Sequence, residues 1–419
     1  MSLIYKGQNL FIDNTSIKSV VKKNITPFYV YSYKKMRANY QTFSSYFKKV
    51  KPLICFSVKS NSNVSLIKEL GRLGSGADVV SEGELMKALK AKIKPSKIVF
   101  SGVGKTETEL KVAIQKRVLL INIESESEAR LIDKLSRKMK RTTSIGIRIN
   151  PGVDANTLSK ISTGKIDSKF GLPKSNFLRF CRNFGKYKNL KIKAVSVHIG
   201  SQIRSVDPYR KTLNVLSKII KSSPINFEYI DLGGGFGIPY QNNEKKIDIK
   251  NYSKLVNKFK KELNCKIIFE PGRFIVGNAG TLISKIVFIK KNGNKSFIIL
   301  DAGMNDFMRP ALYNAKHDIV PVLKLKKKIN GKVEFVGPIC ESTDTFVKYK
   351  NFSLLIFTFK YPYGIRYSIL RSHSSPFCCH VFLTNLCTFD FGLHWGGMKI
   401  RIKSLRNFAI DFLLSFGQT

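Results

Sequence analysis

The chemistry of this chain is indicated first by Lys59, in the segment CFSVKSN at residues 55–61. An apolar, β-prone run from Leu53 to Val58 ends at this lysine, and a polar turn follows it. A lysine at the end of a buried strand can be partly desolvated, which lowers the pKa of its ammonium and favours the neutral amine that condenses with an aldehyde. Most lysines at strand ends are surface residues, so this interpretation depends on segments that could hold a phosphorylated aldehyde beside Lys59.

Three later segments have residues suited to that task. The run LGGGFG at residues 232–237 offers backbone N–H groups that can close around a phosphate, although a plain glycine turn explains it equally well. It is not a dinucleotide fingerprint, because Ile238 stands where that pattern needs glycine. His198 can stack on a ring and Ser201 can reach a phosphate, while EPGR at residues 270–273 ends a further strand.

A fourth segment resembles a phosphate-binding loop but fails its pattern. Gly104, Lys105 and Thr106 match the end of the P-loop motif, yet the glycine required five residues before Gly104 is replaced by Val99. A nucleoside-triphosphatase function is therefore rejected.

A regular alternation of strands and helices must position these residues. Eight strand–helix units over about 240 residues predict a (β/α)₈ barrel of the TIM type. An open, doubly wound sheet is the alternative, but the polar residues fall just after successive strands, where barrel active sites lie. The predicted barrel strands lie near Leu53–Val58, Ala77–Val80, Lys97–Ser101, Val118–Ile123, Ser144–Asn150, Ile192–His198, Glu228–Leu232 and Lys266–Glu270.

After Gly277 the pattern changes to strand-like runs without intervening helices, near Thr281–Lys290, Ser296–Asp301 and Lys332–Val336. This predicts a mostly β domain after the barrel, incomplete or aberrant at its end. The predicted division is an N-terminal strand segment that packs with the β domain (1–25), a cofactor-binding barrel (26–278), a partial β domain (279–350) and an atypical tail (351–419).

The tail differs in composition from the rest of the chain. After Glu341 there is no glutamate, and three of the five histidines and the only tryptophan lie beyond residue 370. Ten of the thirty phenylalanines lie beyond residue 350. A frame-shift in the coding region would produce such a change.

The composition is strongly basic, with 73 Lys+Arg against 28 Asp+Glu. The lysines are scattered, only residues 324–328 (KLKKK) are clustered, and no nucleic-acid motif accompanies them. We therefore expect no nucleic-acid partner, only a general attraction of anionic substrates.

The seven cysteines form no CxxC pair, so no metal site and a reducing compartment are expected. Without a signal peptide or an apolar stretch of about 20 residues, the prediction is a cytoplasmic protein without a membrane partner.

Together these segments resemble the fold-type III pyridoxal-phosphate decarboxylases, most closely the diaminopimelate decarboxylases. The resemblance covers roughly residues 25 to 350, where CFSVKSN, SGVGKT, HIGSQI, LDLGGGFGI, EPGRF, DAGMNDFMRPALY and GPICESTD occur in family order. It implies an alanine racemase-like (β/α)₈ barrel and pyridoxal 5'-phosphate as cofactor, bound covalently by Lys59. The residues implied to hold its phosphate and ring are Lys59, Arg148, His198, Ser201, Gly233, Gly234, Gly235, Glu270, Pro271, Gly272 and Arg273.

The resemblance also implies roles toward the substrate. A carboxylate at Glu270 keeps the ring nitrogen protonated, which makes the ring a strong electron sink and favours decarboxylation. Arg309 would grip a distal carboxylate with its guanidinium fork. Family likeness assigns Arg273, Tyr313 and Glu341 to the substrate as well. Cys340 would donate a proton across the interface of a homodimer with shared active sites; otherwise it is a small buried hydrophobe.

The implied reaction converts meso-2,6-diaminopimelate to L-lysine and CO₂, the last step of lysine biosynthesis. One alternative is a decarboxylase for ornithine, arginine or another basic amino acid; Arg309 and the triplet CES count against it. The other is a protein that binds pyridoxal phosphate without catalysis, because the tail has no counterpart of the family's Ala-Tyr-Gly segment; Tyr363 and Gly364 come too early.

Overall fold

The computed structural model describes residues 3–155, 163–164, 168–240, 244–323 and 331–349 in full, and the backbone of three short strands beyond them. The chain divides into two units, Met1–Phe377 and Cys378–Thr419. The predicted sites that lie outside the described residues are the basic cluster at 324–328 and the segment around Tyr363.

The chain begins with a small antiparallel sheet. It contains strands β1 (Leu3–Lys6), β2 (Asn9–Ile12) and β3 (Thr15–Ser16), and helix α1 (Ile17–Lys23) follows. The predicted strand over residues 3–12 is thus a hairpin, because Gly7 turns the chain at a φ of +58°. The Leu10 N–H donates to the Val322 carbonyl at 3.0 Å, and Leu10 and Ile17 share an apolar cluster with Ile283. The N-terminal hairpin therefore packs against the later β structure.

Strand β4 (Phe28–Tyr31) and helix α2 (Tyr33–Tyr46) lead into a closed barrel of parallel strands. Each predicted barrel strand is confirmed, and the pairing of Ile268 with Leu53 closes the ring, which excludes the open sheet. The barrel strands are β5 (Leu53–Ser57), β6 (Gly76–Val79), β7 (Ile98–Phe100), β8 (Leu120–Ile123), β9 (Thr143–Arg148), β10 (Leu190–Ser196), β11 (Tyr229–Asp231) and β12 (Lys266–Phe269).

Five of the eight barrel helices begin where a short polar side chain caps the free N–H groups of the first turn. The Asn63 side chain accepts from Ser65 N–H at the start of α3, and Thr106 with Glu109 forms a capping box at α5. The threonine of the rejected P-loop motif, Thr106, thus has a structural role as the N-terminal cap of a helix. The barrel helices are α3 (Val64–Arg72), α4 (Glu82–Lys90), α5 (Glu107–Lys116), α6 (Glu126–Lys138), α7 (Lys174–Arg182), α8 (Asp207–Lys221), α9 (Ile249–Leu263) and α10 (Arg273–Val276).

A mixed sheet follows the barrel, as the sequence predicts. Its elements are β13 (Gly280–Asn292), β14 (Lys295–Leu300), helix α11 (Arg309–Tyr313), β15 (Ile319–Pro321), β16 (Lys332–Val336), β17 (Thr345–Tyr349) and β18 (Arg366–Leu370). The strand order is β15-β18-β13-β14-β16-β17, and β4 also pairs with β13. A strand from before the barrel thus joins the sheet that follows it. The exact domain limits at residues 25, 278 and 350 stay predictions, since one compact unit spans them.

The second unit contains, among its described residues, a hairpin of β19 (His394–Trp395) and β20 (Met398–Lys399). The rest of the predicted tail 351–419, apart from β18, lies outside the described residues. In the part of the chain that the structure describes, no helix has both the length and the apolar character needed to cross a membrane.

Candidate active site

The carboxyl ends of the barrel strands bring one group of charged and polar side chains together, at the end of the barrel where active sites lie. The group interacts electrostatically across the barrel: the pKa of Lys59 responds to carboxylates from β6, α4 and the end of β12. Its members are Lys59 after β5, Asp78 on β6, Glu84 on α4, Asn122 on β8, Arg148 on β9, His198 after β10, Asp231 on β11 and Glu270 after β12.

Lys59 lies in a short 3₁₀ turn directly after β5, and its Nζ is 3.4 Å from Asp78 Oδ2. Burial lowers the pKa of its ammonium, but Asp78, Glu270 and Glu84 together outweigh burial and raise that pKa above the ordinary lysine value. The prediction of a lowered pKa was therefore wrong, because it counted burial and not the carboxylates. In the cofactor-free site Lys59 is a cation that must lose a proton before it can attack an aldehyde.

The glycine run takes a backbone shape that side chains would prevent. Gly233 and Gly235 have φ of +64° and +87°. A Cβ on Gly234 would lie 2.1 Å from the Glu270 carbonyl oxygen, and one on Gly235 would lie 2.3 Å from the Gly200 carbonyl oxygen. Glycine is therefore required for the loop to approach both neighbouring strand ends. The close fit to the ends of β10 and β12 places the loop beside the residues predicted to hold a ring.

His198 is fixed by that loop. The Gly234 N–H donates to its Nδ1 at 3.2 Å, so Nδ1 is an acceptor. Burial lowers the pKa of the imidazole well below its ordinary value, and the neighbouring cations Lys59 and Arg148 lower it further. His198 is therefore a neutral ring with a fixed orientation, which is what stacking on a flat cofactor requires. The same bond means that the Gly234 N–H is engaged within the protein rather than left for a phosphate.

Glu270 has a buried oxygen, Oε1, without a hydrogen-bond partner among the described residues. Burial raises the pKa of Glu270 well above its ordinary value, and Asp231 and Asp78 raise it further. The pKa of Asp231 rises to about 6, again chiefly through burial. Asp231 and Glu270 are within hydrogen-bonding reach, so the two buried carboxyl groups share a proton in the free protein. A protonated pyridine nitrogen would supply both the missing partner and the missing positive charge, so these residues fit pyridoxal phosphate.

Arg273 and Ser201 form the anion-binding end of the site. Arg273 is 4% exposed, and its Nη2 donates to Ser201 Oγ at 3.3 Å. Its Nη1 donates to the Tyr240 hydroxyl, and its Nε has no hydrogen-bond partner among the described residues. Gly272 is packed so closely that an added Cβ would lie 3.0 Å from Ser60 Cβ. A buried guanidinium with an unused donor next to a hydroxyl suits a phosphate.

Arg148 is already paired. Its Nη1 donates to Glu124 Oε1 at 2.8 Å, and its guanidinium lies 4.7 Å from the centre of the Phe170 ring. Its charge still acts on the pKa of Lys59 and of His198, so the structure brings it near the site as predicted.

Arg309 begins α11 and is 7% exposed. Its guanidinium carbon lies 4.4 Å from the centre of the Tyr240 ring and 5.7 Å from that of Tyr313. Burial lowers its pKa to about 10, and the like charge of Arg273 contributes in the same direction. The two arginines predicted to bind cofactor and substrate therefore share one buried region.

Cys340 and Glu341 lie in the loop between β16 and β17, and both are exposed to solvent in this single chain. Asp344 holds the loop, since its carboxylate accepts from Met304 N–H at 2.7 Å and from Ile339 N–H at 2.8 Å. Exposure argues against an inert, buried cysteine. The structure does not place these two residues among the buried groups of the barrel, and their roles stay predictions.

Lys105, the lysine of the rejected P-loop motif, has a structural role. Lys105 Nζ donates to Glu128 Oε1 at 2.5 Å and to the Asn122 carbonyl at 2.8 Å, and its side chain is 1% exposed. A phosphate could reach it only by breaking this buried pair.

Sequence reasoning missed six residues that the structure places in or beside the site: Asp78, Glu84, Asn122, Asp231, Tyr240 and His317. Asp78 could have been suspected as a lone carboxylate in an apolar strand, and Asp231 directly precedes the glycine run. No signal in the sequence marked Glu84, Tyr240 or His317. In the described part of the chain, no group of three or more histidine, cysteine or carboxylate side chains is arranged to hold a metal ion.

The comparisons with known proteins agree with this geometry. Residues 33–277 match the family model described as pyridoxal-dependent decarboxylase, pyridoxal binding domain. The diaminopimelate decarboxylase of Aquifex aeolicus (strain VF5) is 41% identical over 346 residues, which cover 82% of this chain and 81% of that protein. The crystal structure of the Helicobacter pylori diaminopimelate decarboxylase complexed with L-lysine superposes with a TM-score of 0.77 at 38% identity, covering 86% of this chain and 89% of that one.

A diaminopimelate decarboxylase structure from M. jannaschi has a TM-score of 0.80 at 30% identity, with 89% of this chain and 88% of that chain covered. These matches extend over barrel and mixed sheet alike. This chain belongs to the diaminopimelate decarboxylase family of pyridoxal-dependent decarboxylases.

Proposed function

We propose that this chain decarboxylates meso-2,6-diaminopimelate to L-lysine and CO₂ with pyridoxal 5'-phosphate as cofactor. The observation that carries the proposal is Glu270, a buried carboxyl group with an unpartnered oxygen in the same electrostatic cluster as Lys59. Bound pyridoxal phosphate supplies a conjugated, protonated ring that accepts the electron pair left behind when CO₂ departs. The rest of the chemistry falls to residues of this chain.

Lys59 is the residue that would bind the cofactor aldehyde, and Asp78 is the nearest carboxylate that could take its proton. Ser201 and Arg273 would hold the phosphate, with the loop of Gly233, Gly234 and Gly235 beside them. Because Gly234 fixes Nδ1 of His198, the imidazole would present its face to the ring and stay neutral. Pro271 and Gly272 would help to hold the cofactor through the conformation of their backbone rather than through side-chain contacts.

Glu270 would hold the proton on the ring nitrogen. Burial raises its pKa in the free protein, Asp231 and Asp78 raise it further, and Lys59 acts in the opposite direction. A ring nitrogen that carries a proton would add a positive charge next to Glu270, so binding would restore the ionised carboxylate. A basic residue at this position would leave the ring unprotonated and weaken its capacity to accept electrons.

Arg309 would select the substrate. Its buried guanidinium can fork onto the distal carboxylate of diaminopimelate, with Tyr313 beside it. Ornithine and lysine offer an ammonium at that end, which a buried arginine would repel. This preference is the reason for favouring diaminopimelate over a basic amino acid.

Cys340 and Glu341 would complete the site of a second copy of the chain, with Cys340 donating the proton that replaces CO₂. Their exposure on one chain supports a homodimer with shared sites, because a proton donor must be shielded from water when it acts. A cytoplasmic location is part of the same proposal, supported by the unpaired state of the described cysteines.

The direct test is to purify the protein with pyridoxal phosphate, record its absorbance, reduce it with borohydride and map the labelled peptide. The adduct should lie on Lys59, and incubation with meso-diaminopimelate should release CO₂ and L-lysine in equal amounts. An adduct on another lysine would refute the assignment of Lys59. An adduct on Lys59 without turnover would support the alternative of a non-catalytic protein that binds the cofactor.

A further inference from the structure

His317 contacts the substrate-selecting arginine directly. Arg309 Nε donates a hydrogen bond to His317 Nε2 at 3.4 Å. His317 is 5% exposed and packs edge-on against the rings of Phe307 at 4.6 Å and Tyr240 at 5.3 Å. The imidazole is thus held by aromatic neighbours, and the hydrogen bond transmits that position to the guanidinium.

Tyr240 lies between two guanidinium groups. Arg309 faces its ring at 4.4 Å, and Arg273 lies 5.7 Å from the ring centre and donates to its hydroxyl. The negative face of an aromatic ring attracts a cation, and the effect grows when water is excluded. Tyr240 therefore offsets the repulsion between two buried cations that would otherwise move apart.

These contacts restrict how Arg309 can bind a carboxylate. A guanidinium forks onto a carboxylate either side-on, through Nε and one Nη, or end-on, through both Nη groups. The bond to His317 occupies Nε, which leaves the end-on mode. The Tyr240 ring lies 4.4 Å from the guanidinium carbon, which restricts the rotation of the fork as well.

We infer that His317 and Tyr240 are positioning residues for substrate selection: together they fix Arg309 for end-on binding of the distal carboxylate of diaminopimelate. The inference rests on the proposed role of Arg309. Neither residue needs to touch the substrate, since each acts by orienting the arginine. Removal of the His317 Nε2 acceptor frees the Arg309 side chain to rotate. This weakens the contact between Arg309 and the distal carboxylate and does not alter the end of the site around Lys59.

The experiment compares two ligands of the cofactor-loaded protein. Meso-diaminopimelate has the distal carboxylate, whereas L-lysine, the product of the proposed reaction, lacks it and is added as the competing ligand. The KM of diaminopimelate divided by the Ki of L-lysine therefore reports the contribution of the contact between Arg309 and the distal carboxylate. If the chain does not turn over, the two dissociation constants are measured directly by calorimetry and give the same ratio.

His317→Phe keeps an aromatic ring against Phe307 but removes the acceptor, and we expect it to raise the ratio roughly tenfold, equivalent to about 1.4 kcal/mol. His317→Gln retains an acceptor and should restore the ratio to within about threefold of the original. If His317→Phe does not fold, His317→Leu carries the same prediction. A ratio that stays unchanged in folded His317→Phe protein would overturn the inference for His317, because a merely structural role would affect stability and not this ratio.

Tyr240 is tested with a matched pair. Tyr240→Phe removes the hydroxyl bonded to Arg273 but keeps the ring over Arg309, so it should weaken pyridoxal phosphate binding and leave the ratio unchanged. Tyr240→Leu removes both and should raise the ratio. Equal ratios in the two variants would overturn the role of the ring.

Arg309→Leu separates this inference from the proposed function. If Arg309→Leu raises the ratio but the variants of His317 and Tyr240 do not, the positioning role fails and the role of Arg309 stands. If Arg309→Leu leaves the ratio unchanged, the role of Arg309 itself fails and the inference fails with it.

Discussion

Glu84 offers the most direct test of the buried carboxylates, because its titration should be visible in protein stability. It is 4% exposed, and its Oε2 accepts a hydrogen bond from Val80 N–H at 2.9 Å. Burial raises its pKa to about 7, Asp78 raises it further, and Lys59 acts in the opposite direction. Glu84→Gln keeps an acceptor for the Val80 N–H and removes the ionisable proton.

The direction in which pH changes the stability follows from the raised pKa of Glu84. The folded state binds the Glu84 proton more tightly than the unfolded state, so folding is favoured below pH 4.5 and loses stability as the pH rises to about 7. A shift from 4.5 to about 7 corresponds to about 3 kcal/mol of unfolding free energy at ~1.4 kcal/mol per pKa unit. The glutamine does not titrate. The gain from Glu84→Gln should therefore be near zero at pH 4.5 and approach about 3 kcal/mol at pH 8.

The assay is urea unfolding of the cofactor-free protein from pH 4.5 to 8, with wild type and variant compared at each pH. Urea is uncharged and leaves the electrostatics in place. Glu107→Gln is the matched control: Glu107 is exposed and paired with Lys111, which lowers its pKa, so its contribution has the opposite sign. A gain from Glu84→Gln that is constant with pH would refute the assignment of a raised pKa to this residue.

Three further experiments test the proposed reaction. Glu270→Gln should lower kcat roughly tenfold or more but change the pyridoxal phosphate dissociation constant much less, because an amide keeps a hydrogen bond without the charge; unchanged turnover would contradict this. Arg309→Ala should lose roughly 30-fold or more in kcat/KM for diaminopimelate, since a buried charge-assisted contact contributes about 2–5 kcal/mol. Its activity toward lysine or ornithine should not fall in parallel, and equal losses would make Arg309 structural. Cys340→Ser mixed with Lys59→Ala should recover about a quarter of wild-type activity through hybrid dimers, each with one intact site; no recovery would argue against shared sites.

The barrel could be predicted from the sequence because its signals are local. Each parallel strand is a short apolar run between helix-like stretches, and the polar residues come at its carboxyl end. Lys59, His198 and Glu270 could be expected at one face for that reason, since the carboxyl ends of all barrel strands meet there, and the family resemblance then assigned them to one site. For the glycine run the sequence left two interpretations open, a phosphate loop and a plain turn, and the positive φ of Gly233 and Gly235 is consistent with either.

The properties that depend on several strands could not be predicted. The raised pKa of Lys59 comes from Asp78 and Glu84 on neighbouring elements and from Glu270, more than two hundred positions later. Tyr240 and His317 likewise gain their roles only where a barrel loop meets the segment after α11. Such contacts have no period and no spacing, so a single sequence contains no pattern for them.

The site is divided into two ends of opposite charge, and this division determines what can bind and in which direction. Asp78, Asp231 and Glu270 cluster at one end, where Lys59 supplies a single ammonium for the three carboxyl groups and burial raises the pKa of Asp231 and of Glu270. Arg273 and Arg309 cluster at the other, where burial lowers the pKa of a guanidinium for want of an anion. A ligand with a basic ring nitrogen and a phosphate relieves both ends only when its nitrogen faces the carboxyl groups. A substrate with a carboxylate at each end can then satisfy Arg309, and one that ends in an ammonium cannot. The charge distribution thus supports both the proposed orientation of the cofactor and the proposed class of substrate.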